Sequence, residues 1–166
     1  MFRRFNCCCF NHPCPIRCPW ICPTACRNEV VNPTFTESFG FFRNITPGTI
    51  TSNAIIPLNL VQSGGSGISS TGAGAISLAA GTYEVTYFAN GTIPASGTMS
   101  IKLRLNGVDV AGSIISDTQD TGNISTLTQT IVLRVESING ILELVNNSAD
   151  SATFSLASMF TRRIEV

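Results

Sequence analysis

The stretch MSIKLRLNGVDVAGSII, residues 99–115, decides the fold class. Met99, Ile101, Leu103 and Leu105 alternate with Ser100, Lys102 and Arg104. An apolar side chain at every second position is the period of a half-buried strand, so the first group is expected to point in and the second out. Asn106-Gly107 follows directly. Both central residues of a type I′ turn need positive φ, which Asn and Gly tolerate best, so the chain is expected to fold back on itself as a hairpin.

The same period continues outward. In TYEVTYFANG, residues 82–91, Tyr83, Val85, Tyr87 and Ala89 share one face, while Glu84, Thr86 and Phe88 fall on the other. Further strands are expected at FGFF (39–42), over 127–136, at ILELVN (141–146) and over 152–166. No segment has a helical period. Seven or eight antiparallel strands without a helix make an all-β, two-sheet sandwich. The run SGGSGISSTGAGA, residues 63–75, reads as a long surface loop within that sandwich. The segment before it, TITSNAIIPLNLVQ (49–62), has too little apolar area to fold alone.

Composition changes at Cys26. All seven cysteines of the 166-residue chain (Cys7, Cys8, Cys9, Cys14, Cys18, Cys22 and Cys26) lie before that point. Pro13, Pro15, Pro19 and Pro23 each remove a backbone donor and disfavour a helical residue ahead of them, which excludes a continuous helix. Three parts follow: a Cys/Pro-rich connector over 1–26, a linker over 27–37 and the sandwich over 38–166. The connector has few aliphatic side chains beyond Ile16 and Ile21, too few for a core of its own. Phe2, Phe5, Phe10 and Trp20 are therefore expected to dock on a neighbour. Two fates for the thiols stay open. Cys14, Cys18, Cys22 and Cys26 with His12 are enough ligands for zinc, but structural zinc favours Cys-x-x-Cys knuckles. Here the spacing is Cys-x-x-x-Cys with proline after the first three, so inter-subunit disulfides are the expectation.

Ten basic and ten acidic residues cancel, which gives the fold no electrostatic case for nucleic acid or an anionic membrane. Arg3, Arg4, Arg17 and Arg27 make the tail locally basic, diluted by Pro, Cys and Trp. No apolar run reaches the roughly 18 residues of a membrane-spanning helix. Asn6, Asn11, His12 and Pro13 interrupt any apolar signal-peptide core, so the general secretory route is not expected. Dense cysteines nevertheless favour an oxidising setting. A protein made in a cytosol and oxidised after that cell breaks open meets both conditions.

Catalysis has little to work with. The only histidine, His12, lies in the tail, so no Ser-His-Asp or Cys-His arrangement can form inside the sandwich, and the chain is not expected to be an enzyme. SGGSG lacks the Gly-Lys-Ser/Thr ending of a phosphate loop, and no cofactor is expected. Asp117 and Asp120 are close enough in sequence to share a cation, but a solvated loop accounts for them. Four Asn-x-Ser/Thr patterns, at Asn44, Asn90, Asn123 and Asn146, read as a surface rich in Asn, Ser and Thr.

The run LAAGTYEVTYFANGTIPASGTMSIKLRLNGVDVAGSII, residues 78–115, resembles the C-terminal domain of the collagen-like exosporium glycoproteins of spore-forming bacteria. These are a bacterial branch of the C1q/tumour-necrosis-factor jelly rolls. The resemblance rests on Ala80-Gly81-Thr82-Tyr83 entering a strand, Asn106-Gly107-Val108 at the hairpin, Ala111-Gly112-Ser113 after it and Arg163-Ile164-Glu165 in the last strand. Order and spacing carry it rather than any one motif, and it covers about residues 38–166. It implies a ten-stranded jelly roll assembled as a tight homotrimer. No Gly-X-Y repeat precedes the domain, so a collagen stalk is excluded, and the Cys-Pro tail stands in its place. In that respect the chain is similar to the pilin-like subunits of spore appendages.

The resemblance and the tail together lead to a structural, self-assembling subunit of a spore-surface fibre or appendage. It would be made in the mother-cell cytosol, with trimers joined covalently through the tail and a cysteine-bearing spore-surface protein as a further partner. The alternative is a trimeric surface module that recognises a glycan or a protein and uses the tail as its anchor. By strand periodicity, Tyr83 and Tyr87, and Phe154, Leu156 and Phe160 on the last strand, are expected to serve the core and the subunit interface.

Overall fold

The computed structural model describes residues 37–165, apart from positions 45, 73 and 138. The connector, with its seven cysteines and with Phe2, Phe5, Phe10 and Trp20, lies outside the described residues, as does the linker up to its last position. The described residues form a compact unit with its own core.

Among the described residues there are twelve strands and no helix. They are β1 (Phe39–Arg43), β2 (Gly48–Ile50), β3 (Asn59–Gly64), β4 (Ile68–Ser70), β5 (Ile76–Leu78) and β6 (Gly81–Thr92), then β7 (Gly97–Leu105), β8 (Val108–Asp109), β9 (Ile115–Gln119), β10 (Ser125–Val135), β11 (Gly140–Asn146) and β12 (Ala152–Glu165). One sheet runs β10-β6-β12-β1-β3, with β2 also on β12. The other runs β4-β5-β11-β7-β8, with β9 also on β7. Every pairing is antiparallel, and apart from the consecutive pairs β4–β5 and β7–β8 most neighbours come from distant parts of the chain, as in a jelly roll.

The inner faces carry the period-two residues. Tyr83, Val85, Tyr87 and Ala89 from β6 meet Met99, Ile101 and Leu103 from β7, and all are buried. Burying each large apolar side chain contributes roughly 1.5–3 kcal/mol, so this alternation drives the two sheets together. At the hairpin Asn106 has φ +52° and Gly107 φ +79°, as the Asn-Gly pair requires.

Three expectations need correction. The run 63–75 is not simply a loop: β3 extends to Gly64, and β4 pairs Ile68 with Leu78 and Ser70 with Ile76. One buried isoleucine among glycines and serines gives no period to read. Ser100 and Lys102, expected outside, are buried. The turn after β11 covers Ser100, with Asn147 Nδ2 donating to its Oγ at 3.1 Å. Lys102 Nζ lies 2.7 Å from Asp109 Oδ2 across the hairpin, which holds the Asp109 carboxyl below the usual carboxylate range. Finally, Asn44 and Asn146 are interior residues. Asn146 Nδ2 donates to the carbonyls of Ile50 and Thr51 at 2.9 and 3.2 Å, and Asn44 Oδ1 accepts the Ala157 N–H at 2.5 Å.

Candidate functional site

β12 runs through the middle of the first sheet, between β6 and β1, and a β-bulge decides which of its side chains leave the core. Phe154 pairs with Gly91 and Leu156 with Asn90, which leaves Ser155 as the extra residue. The alternation flips there. Phe154 points into the sandwich and is 1% exposed, whereas Leu156 and Phe160 stand on the outer face. Gly91 makes the bulge possible, because a Cβ at that position would sit 2.5 Å from the Thr153 carbonyl oxygen.

The five interface candidates therefore divide. Tyr83, Tyr87 and Phe154 are core residues of a single chain and cannot meet a neighbour. The tyrosines are held by their hydroxyls: Tyr83 donates to the Ala79 carbonyl at 2.8 Å. Tyr87 Oη lies 2.5 Å from the Ser113 carbonyl oxygen and 2.6 Å from Gln129 Oε1. Burial pushes the Tyr87 hydroxyl up to about 12. It also raises Tyr83, against which the Arg163 guanidinium acts in the opposite sense.

Leu156 and Phe160 belong to an outer apolar face that periodicity alone did not assemble. Phe41 is paired with Phe160, and Phe88 with Ser158. Phe39 stacks on Phe160 with ring centroids 6.3 Å apart. Phe39, Phe41 and Phe88 are half-buried and Phe160 is 37% exposed. Beside them β3 is exposed along most of its length on both faces, with Leu60 and Val61 at 40% and 58% exposure. Arg162 and Glu84 pair at 3.3 Å along one margin. The threonines of β10 edge the other side, with Thr130 Oγ1 2.8 Å from Thr86 Oγ1. The signal available in sequence was the repeated phenylalanine of FGFF, which supplies one side chain to the core (Phe42) and two to this face.

Asp117 lies in β9 and accepts a hydrogen bond from Ser125 Oγ at 2.7 Å. With Asp120 and Asn123 it lines an open cavity, but among the described residues no three His, Cys, Asp or Glu side chains come together as a metal site would need.

No protein-family model matches the chain, and no curated protein sequence does. Solved structures do match. Eiger TNF from S. frugiperda superposes with a TM-score of 0.63 at 11% identity, over 78% of this chain and 93% of that one. Murine APRIL at pH 5.0 gives 0.61 at 10% identity, over 77% and 99%. The globular domain of zebrafish complement 1qA protein gives 0.53 at 10% identity, over 75% and 94%. The fold is a C1q/TNF-like jelly roll.

Proposed function

We propose that the chain is a structural subunit that assembles in two stages. Jelly rolls first associate as homotrimers through the outer face of the β10-β6-β12-β1-β3 sheet. The N-terminal cysteines then join trimers covalently into a fibre or appendage on a bacterial spore. The observation that carries this reading is the outer-face cluster of half-buried Phe39, Phe41 and Phe88 with exposed Phe160, beside the exposed β3. Four aromatic rings gathered on one outer sheet face are apolar surface that a second copy could cover, with a gain of roughly 25 cal/mol per Å² of apolar area buried. Around the face stand the Arg162–Glu84 pair, uncharged threonines and the exposed Arg43 two residues beyond Phe41. The resemblance to exosporium jelly rolls favours three copies, and the tail in place of a collagen stalk favours covalent linkage between them.

The test is the mass of the full chain under reductant, measured by light scattering on a sizing column. Three times the monomer mass supports the first stage. A monomer at micromolar concentration would remove the assembly reading at its first step.

A further inference from the structure

β3 is the last strand of the first sheet, and among the described residues its backbone pairs with β1 alone. On the other side of β1, the Arg163 N–H of β12 donates to the Ser38 carbonyl, and the Asn44 N–H donates to the Ala157 carbonyl of β12. Even-numbered residues of β1 therefore bond to β12 and odd-numbered ones to β3. Gln62 and Gly64, opposite Phe41 and Phe39, are the residues bonded to β1. Ser63 between them turns its N–H and C=O to the open side, where no described residue meets them. The strand, NLVQSG, has none of the lysines or prolines that keep an edge from pairing, and Val61 is 58% exposed. It does carry a bulge, with Val61 extra between Leu60 and Gln62. A bulged edge is bent and twisted, which suits a free segment that can follow it better than the rigid edge of a second sandwich.

A segment of that kind stands directly ahead of the sandwich. In residues 30–36, VVNPTFT, all but Asn32 and Pro33 are β-branched or aromatic, the composition of a strand. Extended, the segment covers roughly 23 Å, against roughly 20 Å for β3. Pro33 has no N–H to give, so the segment suits only an outermost strand, which is the place the open edge offers. Ser38 continues the line of β1 beside Gly65, and the Glu37 carbonyl lies against the same glycine. A segment joined to Glu37 is thus aimed past the end of β3, and it meets the edge of another copy without having to reverse.

We propose that residues 30–36 of one copy add as a strand to the open edge of β3 in a second copy. Main-chain hydrogen bonds make the contact, with Ser63 both donating and accepting, so it joins copies before any thiol is oxidised. The inference rests on the reading of the chain as a self-assembling subunit, and it names the edge on which one copy receives the next.

The experiment places a benzophenone side chain at position 61 of the full chain. Isotope-labelled and unlabelled protein are refolded together under reductant, and the photo-adducts are mapped by mass spectrometry. Adducts should fall within residues 30–36 and join a labelled chain to an unlabelled one. Ser63→Pro removes the outward N–H while keeping the bonds of Gln62 and Gly64 to β1, and it should abolish those adducts. Should that variant fail to fold, Val31→Asp with Phe35→Asp in the segment takes its place and should abolish them too. Adducts within one chain only, adducts on β3 of a second copy, or no adducts overturn the proposal. So do mixed adducts that survive in the variant that folds. Light scattering on the same samples reports the trimer separately. A trimer without mixed adducts overturns this contact and leaves the aromatic face standing, whereas mixed adducts from a chain that gives no trimer uphold the contact and remove the trimer.

Discussion

Phe39 and Phe160 stack across neighbouring strands, 6.3 Å between centroids and 27° between planes, on the side of the sheet that faces away from the core. The pair is the centre of the proposed trimer face. Phe160→Asp would put a charge where the neighbouring subunit has to land, and desolvating an unpaired carboxylate there costs more than the contact gains. The expected outcome is a folded monomer by circular dichroism and light scattering, where the parent protein gives a trimer. A trimer that survives the aspartate would place the contact between copies elsewhere.

Tyr87 makes a second prediction through its buried hydroxyl. Its folded pKa, about 12, lies above the ordinary tyrosine value of 10.0. The charged form is therefore the disfavoured one inside the protein, and the difference stabilises the fold fully below the unfolded value. That contribution is lost as pH rises from 10 to 12. Thermal melts should show Tm falling across that window, and Tyr87→Phe should flatten the part due to this residue. At neutral pH the same variant leaves the buried Ser113 carbonyl with one partner fewer and should cost about 1–3 kcal/mol. A Tm unchanged from pH 9 to 12 in the parent protein would contradict the burial of the phenol.

Gly91 gives the third. A methyl group there would sit 2.5 Å from the Thr153 carbonyl oxygen and 3.2 Å from the Phe154 Cα, both backbone atoms that cannot swing away. Gly91→Ala should destabilise by roughly 1–3 kcal/mol in denaturant melts, and by more than Gly107→Ala, where the cost is the positive φ and no atom stands in the way. If the two variants were equally stable, the bulge would not be held as the register implies.

The strands that sequence revealed are those with one wet face and one dry one. β6 alternates cleanly because its inner residues are buried in the core and its outer ones half-exposed, and the Asn106-Gly107 turn carries its own backbone requirement. β7 alternates in sequence as well, yet its outward Lys102 is buried under Asp109, since a long polar side chain can be covered where a partner of opposite charge meets its end. β4 was invisible because three residues hold too little pattern. The division of the last strand failed for a sharper reason. A one-residue bulge at Ser155 leaves the composition of β12 untouched while exchanging its faces, so Phe154 and Phe160 look equivalent in sequence and lie on opposite sides of the sheet. Asn44 and Asn146 carry the pattern of surface polar residues, yet both lie inside. Nothing in a lone Asn-x-Ser/Thr triplet distinguishes a solvated amide from one that satisfies buried backbone groups.

The last prediction concerns Cys7, Cys8, Cys9, Cys14, Cys18, Cys22 and Cys26, which should link one trimer to the next. Seven is odd, so one chain cannot pair all its thiols internally. Three chains hold an odd number too, so a closed trimer cannot complete the pairing either. Because no cysteine follows Cys26, the partner must be another tail or a different cysteine-bearing protein. Fully extended, the connector spans at most roughly 86–94 Å, which exceeds the size of a jelly-roll domain and brings a neighbouring trimer within reach. A head-to-tail contact that does not close on itself continues as a fibre. Assembled material run on a gel without reductant should therefore show covalent species far larger than a trimer, and reductant should remove them. Replacing all seven cysteines by serine should abolish these species while leaving the trimer intact, since the aromatic face carries no thiol. Monomer alone on the non-reducing gel would sink inter-trimer crosslinking and bring forward either free thiols or zinc on Cys14, Cys18, Cys22 and Cys26, and near-stoichiometric zinc in the purified protein would decide for the metal.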